Sequence, residues 1–237
     1  MTGKILVCAA ALLVVSAAAV SSADARNASS PHSLAFNANA NPYGSSMVGW
    51  SEQWWRWAMS IPVSSNPNLD SNGANCAERQ GGDVFFLASI FGAGSLVRTC
   101  TVPAKTALLV PLSAFLNDYP CPPSFGFEPP PGESLEQFLA EGAASVEDQV
   151  TTLSLTVDGV AVPEPFDYRY GTPLFHFTGD PSLTATVDPC VTGSDQVAVA
   201  DGFFVMLKPL DRGTHTVTFG AASPNIQSSI TYELTVR

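Results

Sequence analysis

The chain has 237 residues, of which 13% are charged and 46% hydrophobic, and its formal net charge is −11. An acidic balance of this size excludes electrostatic capture of nucleic acid or of an anionic membrane as a design feature. Few charges beside 18 glycines and 19 prolines suit an extracellular β-rich domain, and all-β folds of roughly 200–250 residues commonly form one unit.

The first 25 residues read as an export signal. Met1–Lys4 is a short basic start, Ile5–Val15 is apolar, and Ala23-Asp24-Ala25 is a small-x-small cleavage site, with Ala17-Ala18-Ala19 as a second. The apolar run falls short of the roughly 20 residues that span a bilayer. Charges, prolines or glycines interrupt every later one. The expected location is therefore secreted, extracellular or periplasmic, without membrane insertion. Removing the leader takes away Cys8, Lys4 and Asp24 and leaves the net charge unchanged. Cys76, Cys100, Cys121 and Cys190 remain, an even set that reads as two disulfides with three possible connectivities. Cys76–Cys100 with Cys121–Cys190 is preferred, because the first pair flanks a predicted hairpin.

Residues 26–46, rich in Asn, Ser and Ala, form a flexible or clasping N-terminal arm, and 47–237 form a single domain. Asn27-Ala28-Ser29 fits the N-glycosylation pattern. A helix is expected over about 51–60: Ser51 can cap it, Glu52 and Arg56 stand four apart, and Pro62 ends it. All four tryptophans of the chain fall in or beside it. At about 100° per residue, Trp50, Trp54, Trp57, Ala58 and Ile61 share a core face, whereas Trp55, Glu52, Arg56 and Met59 share the opposite one.

Residues 62–82 are turn-forming. Asp70-Ser71-Asn72-Gly73 resembles a calcium loop, but its glycine falls fourth rather than sixth, so Asx-turns are the better reading. Val84–Phe91 and Leu96–Val102 flank Gly92-Ala93-Gly94 as a hairpin, and Ala107–Leu112 adds a third strand. After the proline-rich loop Pro120–Pro131 a second helix is expected at about 135–149. Its capping box is Ser134 with Gln137, and its sheet-facing stripe is Leu135, Phe138, Leu139, Gly142 and Val146. Strands then follow one another: Leu153–Val157 with an Asp158-Gly159 turn, Phe166–Thr178, Phe203–Leu207, His215–Phe219 and Ile230–Val236. In the last, Ile230, Tyr232, Leu234 and Val236 point inward. The expected fold is mainly β, a two-sheet sandwich or jelly roll with two packed helices and two disulfides.

Several stretches carry a family likeness: Gly49-Trp50-Ser51-Glu52 with Trp54-Trp55-Arg56-Trp57, Asn66-Pro67 with Asp70 and Gly73-Ala74-Asn75-Cys76, Arg98-Thr99-Cys100-Thr101-Val102-Pro103, Asp201-Gly202 with Val205-Met206-Leu207, and Gly213-Thr214-His215-Thr216-Val217. Together they resemble a group of secreted, mostly bacterial proteins of uncharacterised function. Phe204 stands where that group would carry tryptophan. The resemblance implies one exported β-rich domain and no catalytic residue.

No catalytic motif stands out. There is no GxSxG, HxH or HExxH, and no metal or cofactor is expected. His176 and His215 read as core histidines, His32 lies in the arm, and Asp201 reads as a turn residue before a strand. The favoured function is an extracellular binding protein for a glycan or small ligand. Its surface would be Trp55, Glu52 and Arg56, joined by Tyr168, Arg169 and Tyr170. Two readings compete with it. One is a secreted hydrolase or lyase acting on a polysaccharide, with an acidic pair of Glu52 and Asp70 or Asp201. The other is a structural envelope or matrix component.

Overall fold

Two five-stranded sheets face each other, and their inward residues form the main core. The computed structural model describes residues 33–237, of which Leu34–Arg237 form one compact unit. The leader, Asn27 and His32 lie outside the described residues. The elements in order are α1 (Met47–Ser60), β1 (Val84–Phe86), β2 (Gly94–Val102), β3 (Ala107–Tyr119), α2 (Leu135–Glu147), β4 (Thr152–Val157), β5 (Val160–Ala161), β6 (Arg169–Gly171), β7 (Phe175–Thr178), β8 (Asp195–Leu207), β9 (Gly213–Ala222) and β10 (Gln227–Val236).

The first sheet runs β1-β3-β8-β6, with β7 also on β8, and the second runs β2-β10-β9-β4-β5. Leu108, Val110, Phe203, Val205 and Leu207 from the first meet Leu155, Phe219, Ile230, Tyr232 and Leu234 from the second. The outer face of the first sheet is apolar too. Leu109, Phe204 and Met206 pack there beneath Trp54, Trp57 and Ala58 of α1. A sheet covered on both faces accounts for the near-continuous burial of β8. Phe204 meets Trp54 edge to face at 5.7 Å.

Both expected disulfides form, Cys76–Cys100 and Cys121–Cys190. The Asp158-Gly159 turn has positive φ at both residues, 51° and 79°, as a tight hairpin turn requires. The inward set Ile230, Tyr232, Leu234 and Val236 is buried.

The expected hairpin of β1 with β2 does not form. β1 pairs parallel with β3, and β2 pairs parallel with β10, so the two strands belong to different sheets. The crossing segment is tied by side chains instead: Trp54 Nε1 donates to Leu87 O, and Arg98 Nη1 donates to Ala88 O and Ser89 O. Helix α1 begins four residues before the expected start, because Ser46, not Ser51, caps it by accepting from Gly49 N. In α2, Ser134 accepts from Gln137 N as expected, but the Gln137 side chain reaches forward to Glu141. The Phe166–Thr178 stretch is a short 3-10 turn followed by β6 and β7 rather than one strand. Of residues 33–46, the segment around Ala35 pairs with Leu207, and Phe36 N donates to Met206 O. This part of the arm clasps β8.

β3 runs seven residues beyond its expected end because a bulge interrupts its alternation. Pairing with β8 passes from Pro111↔Phe204 to Ser113↔Phe203, leaving Leu112 extra. A bulge is also where a strand tolerates proline. Opposite it, Gly202 is enforced, since a Cβ there would lie 2.7 Å from Ser113 O and Ala114 Cα. Asp201 and Gly202 therefore lie inside β8, not in a turn before it.

Candidate functional site

Three of the four indoles are tied down. Trp50 Nε1 donates to Pro42 O, Trp54 Nε1 to Leu87 O and Trp57 Nε1 to Glu78 O, each at 2.9 Å. Trp55 is 5% exposed, packs edge to face on Trp54 at 4.9 Å, and its Nε1 has no partner. Both helix faces are thus covered, and the Trp55 face is not an open stacking floor.

The Trp55 indole lines a cleft of about 420 Å³, within the range of small-ligand pockets. Five consecutive β3 residues, Leu112–Leu116, line it. Because successive side chains alternate sides, the cleft runs along the strand's edge. β1 leaves that edge open, pairing only with Ala107–Leu109. Met59 of α1, Val146 and Val150 at the end of α2, Val187 after β7 and Ile226 of the β9–β10 turn supply apolar walls.

Two carboxyl groups line the same cleft, Glu147 and Asp188. Glu147 is 3% exposed, and its Oε2 has no hydrogen-bond partner. It continues the buried stripe of α2, Leu139 and Ala143, at the position where a third apolar residue would be expected. Burial pushes its carboxyl up to about 7; Ser113 draws it back, Asp201 raises it further and Arg169 opposes that. Asp188 abuts the buried Asp118, and burial followed by the charge and hydrogen bond of Asp188 raises the Asp118 carboxyl well above the usual range. Gln196 Nε2 donates to Asp118 Oδ2 at 2.6 Å.

Of the six residues expected at a ligand surface, Trp55 alone lines the cleft. Arg56 Nη2 bonds Glu52 at 3.0 Å, its Nε donates to His176 O, and its guanidinium lies over Phe175, so the pair docks α1 onto β7. Tyr168 Oη and Tyr170 Oη donate to Phe36 O and Ala38 O, fastening the arm. Arg169 binds Asp201 through Nε and Nη2, Asp148 through Nη1 and the Ala144 carbonyl. Asp70 accepts from Asn72 N and Asn75 N in the expected Asx-turns. Glu52, Asp70 and Asp201 therefore sit in three different structural ties.

The histidines also differ from expectation. His176 is exposed and pairs with Asp195, because Phe175 and Phe177 take the buried phase of β7. His215 is partly exposed, held between Asp158 Oδ2 and Asp211 O. Burial pulls its pKa down, yet Asp158 and the Asp211 carbonyl outweigh this and leave it raised.

Sequence reasoning missed Glu147 and Asp188. The one available signal was a carboxyl at the end of the α2 stripe, four residues after Ala143, where the periodicity calls for an apolar side chain. The sequence matches no family model and no curated protein. Among solved structures, a chain from the structure of PbICP-C in complex with falcipain-2 is similar over 66% of this chain and 100% of that one. The identity is 8% and the TM-score 0.26, a level that carries no argument about fold or activity.

Proposed function

We propose that this is an exported, non-catalytic binding protein that takes a small, largely apolar ligand in the cleft beside β3. The supporting observation is the unpartnered Nε1 of Trp55, a side chain that lines an apolar cleft, while its three sister indoles all donate to carbonyls. Buried donors are rarely left unpaired, so a ligand acceptor is the natural partner. Two disulfides favour an oxidising compartment, and none of the described helices is long and apolar enough to cross a membrane.

Titration with the neutral dye Nile red tests the reading. Saturable one-to-one binding is expected, weakened at least about tenfold by Ile226→Asp at the exposed cleft wall and more modestly by Trp55→Phe, which removes one hydrogen bond. Binding that never saturates, or that both variants leave unchanged, would sink the proposal.

A further inference from the structure

The ionisable side chains lining the cleft, among the described residues, are all acidic: Glu147 and Asp188, with no Lys, Arg or His. Glu147 is almost wholly buried, which disfavours its carboxylate, and the Ser113 hydrogen bond and the Arg169 charge offset this only in part. Arg169 is near enough to influence it but already holds Asp201, Asp148 and the Ala144 carbonyl. Glu147 Oε2 and Trp55 Nε1 are thus a buried acceptor and a buried donor without partners, on two side chains that line the same cleft.

Resting on the binding reading above, we infer that the ligand is a lipophilic amine: an organic cation whose ammonium is received by Glu147. Its apolar body lies against Phe115, Val146 and Ile226, and an oxygen on it accepts from Trp55 Nε1. The sign of the cleft rejects carboxylates and phosphates, because an anion would face two acidic groups with no basic one. The groups that bear on Glu147 are Ser113 from β3, Asp201 from β8 and Arg169 from β6, with Asp148 adjoining it and paired to Arg169. Burial, the largest influence, favours the protonated acid, so an ammonium must first displace a proton. Its affinity should rise about tenfold from pH 6 to pH 8, while that of a neutral congener stays level.

Calorimetry with 1-aminoadamantane, 1-adamantanol and adamantane-1-carboxylate, alongside the octyl series of amine, alcohol and acid, decides the matter. The amines should bind at least about tenfold more tightly than the alcohols, and the carboxylates should not bind. Glu147→Gln should remove most of the preference for amine and most of its pH dependence, Asp188 with its neighbour Asp118 being the acidic pair that remains at the cleft, while leaving alcohol affinity within about threefold. Amine and alcohol binding equally in the wild type, with Ile226→Asp weakening both, would overturn the cationic assignment and leave the binding reading standing. Tightest binding by the carboxylates would overturn it as well. Failure of both series and of Nile red would overturn the two together.

Discussion

Glu147 Oε2 and Trp55 Nε1 are, with Arg98 Nη2 and Glu133 Oε1, the buried polar side-chain atoms left without a partner among the described residues, and Glu147 has a measurable consequence for stability. The folded protein keeps its proton up to about pH 7, whereas an unfolded glutamate releases its own near about 4.3. Between those values the native state binds more protons. Its contribution therefore becomes less favourable as pH rises through that window, on the order of 3 kcal/mol in all. Glu147→Gln should make the protein more stable than wild type at pH 8 and bring the two close together at pH 4, as followed by urea unfolding. Equal stability differences at both pH values would show that the carboxyl is not held protonated. Arg98 is a buried cation whose Nε and Nη1 donate to the carbonyls of Asp70, Ala88 and Ser89 and to the Tyr232 hydroxyl, while its Nη2 has no partner.

At the scale of elements, α1 and β3 shape the cleft. The C-terminal end of α1 is held by Asn66, whose Nδ2 donates to Ala58 O and Ile61 O while its Oδ1 accepts from Asn68 N. Helix carbonyls at that end lack partners within the helix, and Asn66 is buried. Asn66→Ala should lower unfolding free energy by about 2–3 kcal/mol, measured by denaturant titration. A loss below about 0.5 kcal/mol would mean that α1 is terminated by Pro62 alone. In β3, the bulge at Leu112 reverses the side-chain phase: Leu108 and Val110 face the second sheet, whereas after the bulge Leu116 faces the α1 layer. Sequence alternation ends at that point, so the sequence pattern predicts a strand end at Leu112 where the strand in fact continues to Tyr119. The length of α1 was legible to within one turn. The length of β3 was not, because a bulge is defined by a partner strand that lies far away in sequence.

For the whole molecule, the long-range ties decide stability. The Cys121–Cys190 bridge closes a separation of 69 residues and Cys76–Cys100 one of 24. On the chain-entropy account the first contributes about 4 kcal/mol and the second about 3 kcal/mol. Replacing each pair by alanines should therefore lower stability more for Cys121/Cys190, by about 1 kcal/mol. A reversed order would point to loop closure not being the governing effect. The parallel placement of β2 beside β10 also joins the first half of the chain to its last strand, so the second sheet is complete only once the C-terminal strand is in place.

The sequence alone determined the β-rich class, the two helices, the inward face of β10 and the presence of two disulfides, whose pairing it left among three possibilities with the observed one preferred. Periodicity and an even cysteine set are local or countable properties. Tertiary structure decided what each face is buried against. It split β1 and β2 between sheets, covered the second face of α1 and turned His176 outward. It also brought Trp55 from α1 and Glu147 from α2 to one cleft beside an open strand edge. Whether a polar atom ends up buried without a partner depends on every element that converges around it, and no local pattern carries that information.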